Sequence, residues 1–264
     1  MRIIRVRHNS RVFYASLGED QMLTCLQRNL GYAEPLPMSE VSLMPLVAPS
    51  KIICVGLNFR DHAAEIDMPL SAEPSFFLKP PSSLLGNGQT ILLPRNVGRI
   101  DYEAELAVII GQHCRHVSPE QAAGYVFGYT CANDVTARDL QQGERMFGRC
   151  KGYDTFCPLG PWIETGMPPE DSAVRAVVNG EVRQQGILRD MIANPLELIS
   201  YLSGIMSLTP GDVILTGTPK GVGPIAPGDT VQIEVENVGV LFNSVDREDE
   251  SDFTDGDAPV YRLQ

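Results

Sequence analysis

The chain lacks a long apolar run. No stretch of its 264 residues approaches the roughly 20 that a membrane-spanning helix needs, so no membrane partner is expected. It also lacks a basic surplus. A net charge of −12 leaves no face to displace the counterions of a nucleic acid, so no nucleic-acid partner is expected either. None of its six cysteines forms a Cys-x-x-Cys pair, and nothing in their spacing points to zinc. Several sit in apolar runs and read as reduced, mostly buried thiols of a cytoplasmic protein. The opening Met1-Arg2-Ile3-Ile4-Arg5-Val6-Arg7 is basic but lacks the apolar core of a signal peptide. No internal repeat is visible. With 43% hydrophobic and 20% charged residues, what remains is an ordinary globular chain, long enough to bury a large core.

Against that background the stretch from Ile100 to Lys151 stands out. Ile100-Asp101-Tyr102-Glu103-Ala104-Glu105-Leu106-Ala107-Val108-Ile109-Ile110 reads as a buried strand interrupted by carboxylates. Side chains alternate along a strand, so Glu103 and Glu105 share a face. Buried and unpaired they would be very costly, and a divalent cation would neutralise them. A second apolar strand, from Tyr125 to Thr130, runs into Cys131-Ala132-Asn133-Asp134 and delivers a third carboxylate. Lys151 follows inside a glycine-rich segment. Three carboxylates and a lysine suggest a hard-cation site with a charged catalytic partner. The plain alternative for Glu103 and Glu105 is a solvent-facing edge strand.

Residues 1–47 read as a small unit of their own, with a hairpin turning near His8-Asn9-Ser10 and a brief helix from Leu23 to Leu30. From Lys51 the character changes. Ile52 to Gly56 is a buried-strand signal, and Asn58 caps a helix through Glu65, with Asp61 in capping-box position. Phe76 to Lys79 and Ile91 to Leu93 read as strands. A helix is expected over about 135 to 146. Val174 to Val178 and Glu181 to Arg183 form a hairpin on Asn179-Gly180, a type I′ signal. Asn194-Pro195 starts the best helix, with Leu196, Ile199, Leu202 and Met206 on one face. Val231, Ile233 and Val235 alternate as a strand, and residues 247–264 form an acidic tail. Many strands, few helices and frequent Gly/Pro punctuation favour a β-rich α+β fold over a doubly wound one.

Three further groups carry chemistry, each with a plainer reading beside it. His62 and Glu65 lie three apart on a helix, where a carboxylate-held histidine can serve as a general base; an ordinary surface pair has the same spacing. Arg138 and Gln141 share a helical face just beyond Asp134 and suit a substrate carboxylate, as they suit solvent. Thr216-Gly217-Thr218-Pro219 offers hydroxyl and backbone donors after a strand, or simply a turn.

Taken together, the pieces Gly56-Leu57-Asn58-Phe59 through His62-Ala63-Ala64-Glu65, Asp101-Tyr102-Glu103-Ala104-Glu105, Asn133-Asp134-Val135-Thr136-Ala137-Arg138-Asp139, Lys151-Gly152-Tyr153-Asp154 through Gly160-Pro161, and Thr216-Gly217-Thr218-Pro219-Lys220-Gly221-Val222-Gly223 closely resemble the fumarylacetoacetate hydrolase family. The likeness runs from about Lys51 to Val245. It implies a mixed β-sandwich roll over residues 48–246, a homodimer, and a Mg²⁺ or Mn²⁺ site held by Glu103, Glu105 and Asp134. It further implies His62 and Glu65 as a water-activating dyad on a lid, Lys151 facing the reacting carbonyl, and Arg138, Gln141 and Thr218 holding a small keto-acid substrate. Hydrolysis of a C–C bond in an acylpyruvate, releasing pyruvate, is the expected reaction. Oxaloacetate decarboxylation and hydroxymuconate-type isomerisation are the alternatives on the same site, and a catalytically idle binding or scaffold protein is the alternative of another class.

Overall fold

The computed structural model describes residues 1–65, 73–143 and 147–249 of the chain. Residues 66–72, which follow the His62–Glu65 segment of the expected lid, and most of the acidic tail therefore lie outside the described residues. Two sheets face each other. The larger orders its strands Leu36–Pro37, Met22–Cys25, Arg11–Leu17, Arg2–His8, Cys157–Glu164, Val126–Asn133, Ala104–Ile110, Val213–Leu215, Ile52–Gly56 and Ser75–Lys79. The smaller has five, Glu181–Ile187, Ala173–Val178, Thr230–Val235, Gly239–Arg247 and Thr90–Leu93. Both parallel and antiparallel pairs occur, Val213–Leu215 running parallel to Ile52–Gly56 and antiparallel to Ala104–Ile110.

Period-two alternation explains how one strand serves two cores. On Ala104–Ile110 every residue is buried. Leu106, Val108 and Ile110 join the core between the sheets, with Val174, Ala176, Ile233 and Leu241. Ala107 and Ile109 join a second core on the opposite face, with Ile52, Cys54, Val213 and Leu215. Glu105 has the parity of that second face, and so does Glu103. The first residues reach the large sheet through Arg2↔Glu164 and Ile3↔Ile163. They carry a cluster of their own around Ile4, Val6, Phe13, Ala15 and Leu23.

Three local expectations are corrected. Leu23 to Leu30 is not a helix. Met22–Cys25 is a strand paired with Arg11–Leu17, followed by a 3-10 turn over Arg28–Leu30, because Leu23 and Cys25, two apart, both turn toward the N-terminal core. The helix expected from 135 begins at Arg138; Thr136–Ala137 is a short strand against Ile100–Tyr102, and residues 144–146 lie outside the described residues. Asn58 does not cap the helix Arg60–Glu65. Its amide ties Ala193 to the carbonyl of Thr216, while Asp61 accepts from the His62 N–H. Elsewhere the local rules hold: Asn179 and Gly180 both take positive φ (53° and 80°), as a type I′ turn requires, and Asn194 with Glu197 forms a full capping box on Pro195–Ile205.

Candidate metal centre and active site

The strand that carries Glu103 breaks at that residue, between Ile100–Tyr102 and Ala104–Ile110. The break is held on both sides by the end of the neighbouring strand. The Glu103 N–H donates to Asn133 Oδ1 at 2.9 Å, and the Asp134 N–H donates to the Glu103 carbonyl at 2.9 Å. Asp134 and Glu103 thus arrive side by side because their backbones are bonded. Glu105, two residues on, completes the group: one oxygen from each of the three carboxylates lies within 4.8 Å of the others, and all three are buried. The sequence expectation of three converging carboxylates is met.

Cations surround them. Lys151, on the four-residue helix Gly148–Lys151, bridges Glu103 Oε2 at 2.8 Å and Asp134 Oδ2 at 2.6 Å. Burial alone would lower the Lys151 pKa, but Asp134 and Glu103 outweigh it and hold the ammonium protonated, above the usual lysine range. Burial likewise would raise Glu103, yet Lys151 and Arg138 bring its carboxyl down to about 2. Glu105 is different. Burial, Asp134 and Glu103 together push its pKa well above the carboxylate range, against the smaller pull of Lys151 and of the Gly217 N–H, which donates to Oε2 at 2.6 Å. Gly217 sits at φ +93°, where a Cβ would meet Asn58 Cβ at 2.7 Å, so this close donor needs glycine.

Arg138 and Gln141 do share a helical face, as expected, and Arg138 Nη1 donates to Gln141 Oε1 at 2.5 Å. The guanidinium is otherwise directed at the protein: Nη2 to Glu103 Oε1 at 2.6 Å and Nε to Asp101 Oδ2 at 2.8 Å. Asp101 is fully buried and also takes a two-point contact from Arg99. Thr218 Oγ1 donates to the Ala104 carbonyl at 2.9 Å, directly between the two glutamates in sequence. His62 is buried, its Nδ1 3.0 Å from Glu65 Oε2, and the Glu65 carboxylate receives the Gly221 N–H. The loop after Val213–Leu215 therefore contacts both the carboxylate strand, through Gly217 and Thr218, and the His62–Glu65 pair, through Gly221.

Two members of this web escaped the sequence reading. Lys79, fully buried at the end of Ser75–Lys79, donates to Asp134 Oδ1 at 2.5 Å and to the Val135 carbonyl at 3.2 Å. Its only sequence signal is a lysine closing an apolar strand. Asp101 was visible as part of the motif, but its partnership with Arg99 and Arg138 was not.

The donor set fits a hard divalent cation: oxygen only, three buried carboxylates, and one of them destabilised by its neighbours as an anion. Each carboxylate oxygen has two lone pairs, so one that accepts from a lysine can still face a cation.

The chain is similar to several known proteins. The chain is 40% identical over 237 residues to the mitochondrial oxaloacetate tautomerase FAHD2A of Bos taurus, covering 84% of this chain and 76% of that one. It is 43% identical over 246 residues to the 4-hydroxyphenylacetate degradation bifunctional isomerase/decarboxylase of Salmonella dublin, covering 92% of this chain and 56% of the relative. Among solved structures, a 5-carboxymethyl-2-hydroxymuconate delta-isomerase from Mycobacterium smegmatis matches with a TM-score of 0.85 and 40% identity, over 95% of this chain and 100% of that one. Residues 51–246 match the model of the fumarylacetoacetate (FAA) hydrolase C-terminal family, and the chain belongs to that family of enzymes.

Proposed function

We propose that this protein is a Mg²⁺- or Mn²⁺-dependent enzyme that moves a proton between the keto and enol forms of a small 2-oxo diacid. Oxaloacetate and hydroxymuconate-type diacids are the substrate class. The observation that carries this reading is that one loop, residues 216–221, contacts both the pair formed by buried His62 and exposed Glu65 and the strand that carries two of the three clustered carboxylates. The names of the relatives, a tautomerase and isomerases, support the same class of reaction.

Glu103, Glu105 and Asp134 would hold the cation. Bound there, a divalent ion supplies Lewis acidity toward the 2-oxo group and its carboxylate, the electron sink that enolate chemistry needs. The chain's own residues do the rest. With Nδ1 turned to Glu65, His62 presents Nε2 to take a proton from the carbon beside the carbonyl and return it at another position. Glu65, fixed by the Gly221 N–H, orients the imidazole and balances its charge when protonated. Lys151, buried and protonated, offers a preorganised positive charge to oxygen as negative charge develops.

A second reading has its own observation. A histidine backed by a carboxylate is also what an attacking water needs, so the His62–Glu65 pair supports acylpyruvate C–C hydrolysis on the same site. A panel of oxaloacetate, a hydroxymuconate-type diacid and an acylpyruvate separates the two. Chelated protein should be inactive and regain activity with Mg²⁺ or Mn²⁺. His62→Ala should lower isomerisation by about 10²–10⁴-fold with metal affinity unchanged. An unaffected isomerisation rate would remove the proton-transfer role of His62, and faster turnover of the acylpyruvate than of either diacid would favour hydrolysis.

A further inference from the structure

The edge strand Glu181–Ile187 of the five-stranded sheet is mostly exposed, with one exception. Glu181, Val182, Arg183 and Gln185 face solvent, whereas Gln184 is 2% exposed. A bulge explains the exception. The register runs Val178↔Glu181 and Val177↔Val182, then jumps to Ala176↔Gln184, leaving Arg183 unpaired. Ala176 faces the core between the sheets, so the extra residue puts Gln184, rather than Arg183, opposite it and turned inward. Bulges of this kind re-aim a side chain and are common beside active sites.

The amide reaches across the sandwich to the carboxylate strand. Gln184 Oε1 accepts the Ala104 N–H at 2.9 Å, and Nε2 donates to Thr218 Oγ1 at 2.7 Å and to the Pro219 carbonyl at 2.6 Å. Because Gln184 donates to the Thr218 oxygen, the hydroxyl proton goes to the Ala104 carbonyl. The peptide groups on both sides of Ala104, between Glu103 and Glu105, are therefore gripped, at the N–H by Gln184 and at the carbonyl by Thr218. Two glycines permit the approach. A Cβ on Gly186 would meet Pro219 Cβ at 2.4 Å, and one on Gly221, at φ +97°, would meet the Arg183 carbonyl at 3.1 Å. Here no strand follows Leu215 alongside Ala104, so the ladder bond is replaced by a side chain from the opposite sheet.

We infer that Gln184 is a positioning residue of the carboxylate site: it fixes the spacing of Glu103 and Glu105 and the direction of the Thr218 hydroxyl. The inference rests on the reading of Glu103, Glu105 and Asp134 as the metal ligands. Its test is Mn²⁺ binding by the chelator-stripped full-length protein, followed by electron paramagnetic resonance. Wild type is compared with Gln184→Met, which keeps length and removes all three bonds. Ser203→Ala serves as control; Ser203 lies on the helix Pro195–Ile205, outside the site, and the change removes its acceptance from the Val117 N–H and its donation to the Ser200 carbonyl. The Mn²⁺ dissociation constant should rise tenfold or more in Gln184→Met with an altered line shape, and stay at the wild-type value in Ser203→Ala. Unchanged affinity and line shape in Gln184→Met would make the residue merely structural and overturn the inference. Absence of Mn²⁺ binding by wild type would overturn the metal-site reading itself, and the inference with it. Should Gln184→Met fail to fold, Gln184→Glu, which keeps the acceptor for Ala104 and removes only the two donors, is held to the same criterion.

Discussion

Replacing Glu105 by Gln should stabilise the metal-free protein and destabilise the metal-loaded one. Glu105 is 2% exposed, within 4.8 Å of two other carboxylates, and its pKa is raised by burial, Asp134 and Glu103. At an effective dielectric near 20, two unit charges at that separation repel by about 3–4 kcal/mol, so the folded metal-free protein keeps a proton on Glu105 that the unfolded chain releases. The sign follows from proton linkage. Where the native state binds more protons than the unfolded state, stability falls as pH rises, here from the unfolded carboxyl value of about 4.3 up through the raised folded value. At pH 7 the penalty is bounded by about 3–4 kcal/mol. Gln carries no such penalty, and its Oε1 can still accept the Gly217 N–H. A gain of about 1–3 kcal/mol is expected, several degrees in melting temperature for a chain of this size. With saturating Mn²⁺ the order should reverse, since wild type gains about 4.1 kcal/mol at a thousandfold excess over the dissociation constant and the variant gains little. Thermal melts of both proteins, from pH 5 to 8, with chelator and with Mn²⁺, test it. A chelated variant no more stable than wild type, or a wild-type stability that does not fall with pH relative to the variant, would refute mutual repulsion in the cluster.

Lys151→Met should lower turnover by about 10²–10³-fold, the effect of losing one preorganised donor at a developing oxyanion. Near-normal steady-state turnover at saturating Mg²⁺ would make Lys151 a structural partner of Glu103 and Asp134 alone. Asp212→Asn tests a different buried carboxylate, one that accepts from Lys51, Ser50 and Thr209 and ties the start of the Ile52–Gly56 strand to that of Val213–Leu215. Burial opposes and these donors lower its pKa, so its stabilisation is present above the unfolded value of about 3.9 and disappears as pH falls through the depressed folded value. The variant should lose about 2–4 kcal/mol at pH 7 and progressively less in acid; a constant loss at all pH would disprove the charged role.

What was legible in the sequence was what short-range chemistry determines. Alternation placed Glu103 and Glu105 on one face, the apolar run into Asn133-Asp134 ended a strand where a third carboxylate was needed, and Asn179-Gly180 and Asn194-Pro195 announced their turn and cap. The misses share one cause. Leu23 opens a segment expected as a brief helix, but its burial is decided by pairing with Leu17 and by the cluster of Ile4, Val6, Phe13 and Ala15 on neighbouring strands. Asn58 had the right position for a cap, yet its amide was claimed by Ala193 and Thr216, over 130 positions distant in each case. Lys79 and Gln184 lie 55 and 80 positions from the site residues they touch, and neither sits in a spacing that signals chemistry.

Those distant contacts also explain why the site holds together when its charges are so crowded. Glu103 is restrained by Lys151, Arg138 and Thr136, and Asp134 by Lys151 and Lys79. Arg138 is restrained in turn by Asp101, itself shared with Arg99. Glu103 and Asp134 thus share Lys151, and each has further donors of its own from other strands and helices. Glu105 alone has no cation within hydrogen-bond reach among the described residues, only the Gly217 N–H. It is also the one whose charge its neighbours disfavour most. A cation entering the cluster would therefore relieve Glu105 before any other group, and the charge state of this residue would then tie metal loading to the stability of the fold.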